Sequence, residues 1–223
     1  MDVNERSLFW EREFEDVETV VVGNGELTDS PESLKLLTGG ARVICCDGAV
    51  QKLLSINIIP DVVVGDGDSM DKSLLQKHGI PYFPDASEEY NDLQKALRYC
   101  LSNMFDNVVL LGFGGLREDH FIANLSIWVM YSVRFHKIIM LTEHGIFNVM
   151  RKQCEFRSFC GMQVSVFVRD DKTEISFSGL KYPVNDRSFV WLWEGSLNEA
   201  TGPSFQISSN NESPVIVYRA KSR

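Results

Sequence analysis

The sequence predicts an α/β domain built on a parallel sheet, followed by a small all-β domain. Two observations lead there. Up to about residue 145, short β-branched runs alternate with stretches of helical spacing, the pattern of parallel strands joined by crossover helices. Beyond that point the runs are short, Gly, Asn, Asp and Ser separate them, and no strong helical pattern appears, which suits a sandwich or barrel.

The elements follow in order. Thr19-Val20-Val21-Val22-Gly23 reads as a buried strand. Ser30-Pro31-Glu32 reads as a helix start, with a cap and a proline in the first turn. Arg42 to Cys46 is a second strand, ending at Asp47-Gly48, and 49–55 fits a short helix. Asp61 to Val64 is a third strand, running into Gly65-Asp66-Gly67-Asp68-Ser69. Tyr82-Phe83 reads as a strand tip, and Leu93, Ala96, Leu97, Cys100 and Leu101 give 91–104 a helical stripe. A strand over 107–112, a long helix over 119–134 and a strand over 137–142 complete the domain. In the second domain, strands are expected at 162–168, 174–177, 189–193 and 214–218.

Composition narrows the function. The 223 residues carry 44% hydrophobic and 24% charged side chains, enough apolar material for a packed core. A net charge of -9 argues against a general nucleic-acid binder, whose partner needs a basic face. It leaves room for a nucleotide site in which a metal ion supplies positive charge. The five cysteines form no CxxC pair and read as free thiols in a reducing cytoplasm. The charged stretch 1–16 has no apolar core of signal-peptide type, and no run approaches the roughly 20 apolar residues that span a bilayer. A cytoplasmic protein with no membrane segment is expected.

The strand ends carry the chemistry. In a parallel sheet, ligands bind beyond the carboxyl ends of the strands. Those ends hold Gly23-Asn24-Gly25, Asp47-Gly48, Gly65-Asp66-Gly67-Asp68, and Gly112-Phe113-Gly114-Gly115 with Arg117 and Asp119. Small residues let a ligand approach the backbone, and neighbouring carboxylates repel unless a cation sits among them. Asp66 and Asp68, one residue apart in a glycine loop, are hard oxygen donors suited to magnesium. The competing reading is an ordinary turn, since Asp and Gly both form turns. Asp92, at the start of a helix, taken alone is better read as an N-cap, although Asn91 can do that work and free it. Arg117 offers a fork for phosphate. Asp119 can cap the helix, touch substrate or accept a proton, and His120 is more simply a packing or hydrogen-bonding residue than a catalytic one. Neither a GxxxxGK[ST] loop nor a GxGxxG turn after the first strand is present.

Taken together, these segments resemble the thiamin pyrophosphokinase family. The matching pieces are Asp47-Gly48-Ala49, 60–69 with its GDGDS loop, 91–96, Gly114 to His120 with Ala123-Asn124-Leu125, and Gly179 to Pro183. They run in the family's order over most of the chain. The resemblance implies an α/β nucleotide- and metal-binding catalytic domain over 1–145, a β-sandwich over 146–223 that binds thiamin and forms the dimer, and a homodimer. It implies transfer of the diphosphoryl group of ATP to the thiamin hydroxyl, giving thiamin diphosphate and AMP. By position, Asp66, Asp68 and Asp92 match magnesium ligands and Asp47 a further acidic site residue. Arg117 and Asp119 match an RxD pair near nucleotide and thiamin. Ser196-Leu197-Asn198 is similar to a Ser-Asn turn that reaches thiamin across the dimer. Gly23, Asn24, Gly48, Gly65, Ser69, Gly115 and His120 complete the residues expected around the two substrates.

The chain also departs from the family. Asn91 stands where Thr is frequent, Ala49 where a second glycine is common, and Val217 where some members stack an aromatic ring on thiamin. Trp193, Phe205 and Tyr218 are the candidate replacements. The expected reaction is in-line attack of the hydroxyl on the β-phosphorus, with Arg117 offsetting charge and Asp47 or Asp119 accepting the proton. The competing readings are a pyrophosphokinase for another hydroxymethyl heterocycle such as a pterin, a binding module without turnover, and a structural protein with incidental turns.

Overall fold

The structure, a computed structural model, describes residues 9–27 and 29–221, so the first eight residues of the charged N-terminal stretch lie outside the described ones. The chain divides into two compact units, Met1–Glu143 and His144–Arg223.

The first unit is a six-stranded parallel sheet of β1 (Thr19–Val22), β2 (Arg42–Cys46), β3 (Val62–Gly65), β4 (Tyr82–Pro84), β5 (Asn107–Leu111) and β6 (Lys137–Leu141). The order is β4-β3-β2-β1-β5-β6, with every neighbouring pair parallel. Val20, Val21, Ile44, Val63, Val64, Val109 and Leu110 are fully buried. That is why these strands read as continuous apolar runs rather than alternating ones. Successive strands run outward from β1 as far as β4, and then β5 returns to the other side of β1. The β1/β5 junction is therefore the topological switch point, where a crevice opens above the carboxyl ends.

Crossovers supply the helices α1 (Pro31–Thr38), α2 (Val50–Ser55), α3 (Lys72–His78), α4 (Asp92–Ser102) and α5 (Glu118–Tyr131). The Ser30 hydroxyl caps α1 by accepting from the Ser33 amide at 3.3 Å, with Pro31 in the first turn, as the sequence predicts. α4 buries Leu93, Ala96, Leu97 and Cys100, the stripe seen in the sequence. α3 is an addition to the sequence reading. It is two turns long with one buried side chain, Leu75, so its periodicity is too short to register. Its limits are nonetheless built in: Asp71 caps the start and Gly79, at φ 65°, ends it in the left-handed region.

The second unit is a sandwich of two antiparallel four-stranded sheets. One has the order β12-β9-β14-β7, using β7 (Gly145–Met150), β9 (Gln163–Val168), β12 (Asn198–Glu199) and β14 (Val215–Ala220). The other has the order β11-β10-β13-β8, using β8 (Gln153–Arg157), β10 (Glu174–Ser178), β11 (Val184–Ser188) and β13 (Ser204–Ser209). Val164, Val166, Val215 and Val217 from the first sheet, and Phe156, Ile175, Phe205 and Ile207 from the second, are buried core residues.

The strand expected at 189–193 is not one. Both the Val190 and Trp191 amides donate to the Glu194 carboxylate, at 2.7 and 2.8 Å, which folds 192–195 into a 3-10 turn. The strand lies just before it, in the polar β11, whose Val-Asn-Asp-Arg-Ser sequence carries no alternating apolar signal.

Candidate active site

The cleft forms where two glycine loops meet. After β1 the Gly23 amide donates to the Leu111 carbonyl at 2.8 Å and the Gly25 amide to the Gly112 carbonyl at 2.6 Å. The loops close so tightly that a Cβ on Gly25 would lie 2.5 Å from the carbonyl oxygens of Gly112 and Gly114. Lys52 on α2 fastens the loop from behind, donating to the Asn24 and Gly25 carbonyls at 2.5 and 2.8 Å. The resulting cleft has a volume of about 670 Å³. Gly23, Asn24, Asp66, Asp92, Arg117 and His120 line it, together with Lys95 and Asn124.

Asp47 is close by but has a different task. It is 1% exposed, and its two oxygens accept from the Gly48 amide at 2.7 Å and the Gly67 amide at 3.0 Å. Gly65 makes this possible, because a Cβ there would come within 2.8 Å of the Asp47 carboxyl carbon. The buried carboxylate thus clasps the loop that carries Asp66 and Asp68. Within the loop, the Asp68 amide donates to Asp66 Oδ1 at 3.2 Å. Asp68 and Ser69 are exposed, and neither they nor Asp47, Gly48, Gly65 and Gly115 line the cleft wall.

Asn91 takes the capping role at α4. Its side chain accepts from the Gln94 amide at 3.0 Å, and Gln94 answers in a capping box. Asp92 is therefore not the cap, against the reading of that residue taken alone, and its half-buried carboxyl is left facing the cleft. Asn91 also donates to Asn124 at 3.2 Å, and Asn124 donates to the Phe113 carbonyl at 3.1 Å. This short chain ties the start of α4, α5 and the loop after β5 together.

Lys95 is the residue the sequence reading passed over. It lies one turn after Asp92, is 3% exposed, and places Nζ 2.6 Å from Asp66 Oδ2. The sequence carries no signal for it: Lys95 lies off the Leu93, Ala96, Leu97 and Cys100 stripe, and only the fold buries it against Asp66. The Lys95 hydrogen bond holds the Asp66 carboxyl below the usual carboxylate range. Burial pulls the ammonium down, but Asp66 outweighs it and leaves Lys95 above its ordinary value. Burial, followed by the charge of Asp47, pushes the Asp92 carboxyl up. The cluster thus holds more negative charge than Lys95 offsets. Its donors are all hard oxygens, and an added cation would relieve Asp92, so the residues fit magnesium. Among the described residues, no three His, Cys, Asp or Glu side chains stand gathered in metal-ligand geometry.

Arg117 and Asp119 are paired to each other. Arg117 donates from Nε to Asp119 Oδ1 at 3.0 Å and from a terminal nitrogen to Oδ2 at 2.5 Å. The guanidinium holds the Asp119 carboxyl down at about 2. Both side chains are exposed, so Arg117 stands at the cleft mouth with a fork a phosphate can compete for.

In the second unit, Asn198 is buried and committed to its own chain. Its side chain accepts from the Tyr182 and Glu199 amides at 3.0 and 2.9 Å and donates to the Tyr182 carbonyl at 2.8 Å. Ser196 donates to the Trp193 carbonyl at 2.7 Å. Of the aromatic candidates, Phe205 is 1% exposed and stacked on Phe156, and Tyr218 is paired with Phe147. Trp193 is 71% exposed.

Two family models match the chain: the catalytic domain of thiamin pyrophosphokinase over residues 34–141 and its substrate-binding domain over residues 145–218. Among solved structures, the chain is similar to a Bacillus subtilis thiamine pyrophosphokinase at 20% identity, with a TM-score of 0.77 over 91% of this chain and 98% of that one. It is similar to the Candida albicans enzyme at 17% identity, with a TM-score of 0.77 over 93% and 91%. It is also similar to the yeast enzyme at 14% identity, with a TM-score of 0.75 over 92% and 87%. No curated protein sequence matches it significantly. The structural likenesses carry the fold; the two models, adjacent and in order across most of the length, set aside the pterin reading, and the chain belongs to the thiamin pyrophosphokinase family.

Proposed function

We propose that the cleft of the first unit binds ATP with magnesium and that the protein moves the diphosphoryl group to thiamin there. The observation that carries this reading is the coincidence of the catalytic-domain match with a switch-point cleft lined by Asp66, Asp92 and Arg117. The thiamin hydroxyl oxygen attacks the β-phosphorus, the bond from that phosphorus to the oxygen bridging the α-phosphate breaks, and AMP leaves with that oxygen.

Asp66, Asp68 and Asp92 would hold magnesium, which when bound neutralises phosphate charge. The tight Gly23–Gly25 and Gly112–Gly114 loops bring backbone close to the nucleotide. Arg117 releases Asp119 to grip phosphate. Of the expected proton acceptors, Asp47 is poorly placed because both its oxygens are engaged by amides; Asp119, released when Arg117 turns to phosphate, is left to accept the hydroxyl proton.

The protein works as a homodimer in the cytoplasm. Val190, Trp191, Leu192, Trp193 and Leu197, each at least 66% exposed, are an apolar surface that a second copy would cover. Free cysteines fit a reducing compartment, and among the described residues no helix is long and apolar enough to cross a membrane. The test is a magnesium titration of turnover. Asp66→Asn should need far more magnesium than wild type; full turnover at low magnesium would remove Asp66 from the metal site.

A further inference from the structure

The cleft contains a cation of its own. Lys95 is buried, yet its ammonium is aimed at Asp66, the carboxylate read above as a metal ligand. We propose that Lys95 is a resident counter-cation that competes with the divalent ion for Asp66. It holds the carboxylate while the site is empty of metal, and is displaced toward the incoming phosphates when metal and nucleotide bind. This rests on the reading of Asp66 as a ligand.

Three observations carry it. First, the contact is direct: Nζ lies 2.6 Å from Asp66 Oδ2, so ammonium and metal ion would address the same oxygen. Second, the carboxylates around Lys95 have little other positive charge on the cleft wall to balance them. Asp66, Asp92 and Asp85 all act on its ammonium. The other strong cation on the cleft wall, Arg117, is already neutralised by Asp119. Third, the stem can move the charge without moving the helix. A lysine head is a point charge on four flexible carbons with three rotatable donors, unlike a planar fork. Asp66 is 38% exposed, so the ion that replaces the ammonium has access from solvent.

The bland alternative is a salt bridge that only secures α4 to the loop after β3. That role predicts lost stability on substitution but no gain in metal affinity. Competition predicts the gain, because removing a competitor tightens binding of what remains.

The experiment uses the full chain without nucleotide, and reads the melting temperature against magnesium chloride at constant ionic strength. Wild type, Lys95→Gln, Lys95→Arg and Asp66→Asn are compared. In Lys95→Gln the magnesium midpoint should fall about tenfold, the scale of one charge-assisted hydrogen bond. In Lys95→Arg it should rise, because a guanidinium grips a carboxylate through two bonds. Should Lys95→Gln fail to fold without metal, the Arg variant decides alone: a raised midpoint supports competition, and an unchanged or lowered one overturns it. A Lys95→Gln midpoint that is unchanged or higher, alongside an Asp66→Asn protein that no longer responds, overturns the proposal and leaves Asp66 a ligand. An Asp66→Asn midpoint equal to wild type, or a wild type blind to magnesium, overturns the metal reading and the proposal with it.

Discussion

Asp47 reaches across twenty residues of chain to accept the Gly67 amide at 3.0 Å, joining the end of β2 to the loop that follows β3. This buried bond fixes where Asp66 and Asp68 stand, although Asp47 itself lies off the cleft wall. Asp47→Ala orphans the Gly48 and Gly67 amides. The expected cost is about 2–3 kcal/mol of stability in urea denaturation, with a fall in turnover as the loop loosens. Unchanged stability would mean that the loop holds itself.

The Arg117–Asp119 pair has a pH signature. Asp119 sits at about 2 in the folded protein against an ordinary value of 3.8. A depressed carboxylate contributes stability that is complete above the unfolded value and is lost as pH falls through the folded one. The contribution here should therefore fade between about pH 4 and pH 2. In Arg117→Met the Asp119 carboxyl resonance, followed by NMR, should titrate near its ordinary value. Both groups are exposed, so the effect on stability at neutral pH should be small.

Asn91 has two tasks that substitution can separate. Asn91→Ala loses the N-cap of α4 and should cost about 1 kcal/mol in a denaturation experiment. Asn91→Ser keeps a capping oxygen but cannot reach Asn124, 3.2 Å from the native amide. It should therefore hold its stability while kcat/KM falls about tenfold, because Asp92 is no longer steadied, and Asn124→Ala should show the same loss. Equal activity in Asn91→Ser and wild type would show that the link to Asn124 does not matter.

Trp193 is 71% exposed on a 3-10 turn held by Glu194. Trp193→Ser should change the stability of the isolated chain by less than about 0.5 kcal/mol. If a second copy covers this surface, the same variant should shift the population from dimer to monomer in light scattering after gel filtration. A wild-type protein that is monomeric at all concentrations would remove the dimer reading.

Much of the first unit was legible because buried parallel strands are uniformly apolar. Val20 to Val22, Ile44 to Cys46 and Val62 to Val64 announce themselves without alternation. α3 was not legible, since two turns burying only Leu75 leave no stripe. In the second unit β11 hid behind polar side chains, while Phe189 to Trp193 looked like a strand from its aromatics. Sequence spacing cannot show that Glu194 closes two amides into a turn. The acidic loop was visible as chemistry, but the division of labour within it was not. Asp47 and Asp66 look alike in sequence; one is sealed by backbone amides and the other meets a buried lysine. Lys95 was overlooked because lysine at helical spacing is ordinarily a solvated residue, and only the fold aims it inward.

If the cleft at the β1/β5 junction supports diphosphoryl transfer to thiamin, ATP turnover there depends on thiamin. AMP release from ATP, measured with magnesium present and with thiamin added or withheld, tests it directly. AMP should form in step with thiamin diphosphate, be abolished by chelation, and not form when a hydroxymethyl pterin is offered alone. AMP formed equally without thiamin, or none formed while ATP and thiamin both bind, would contradict it.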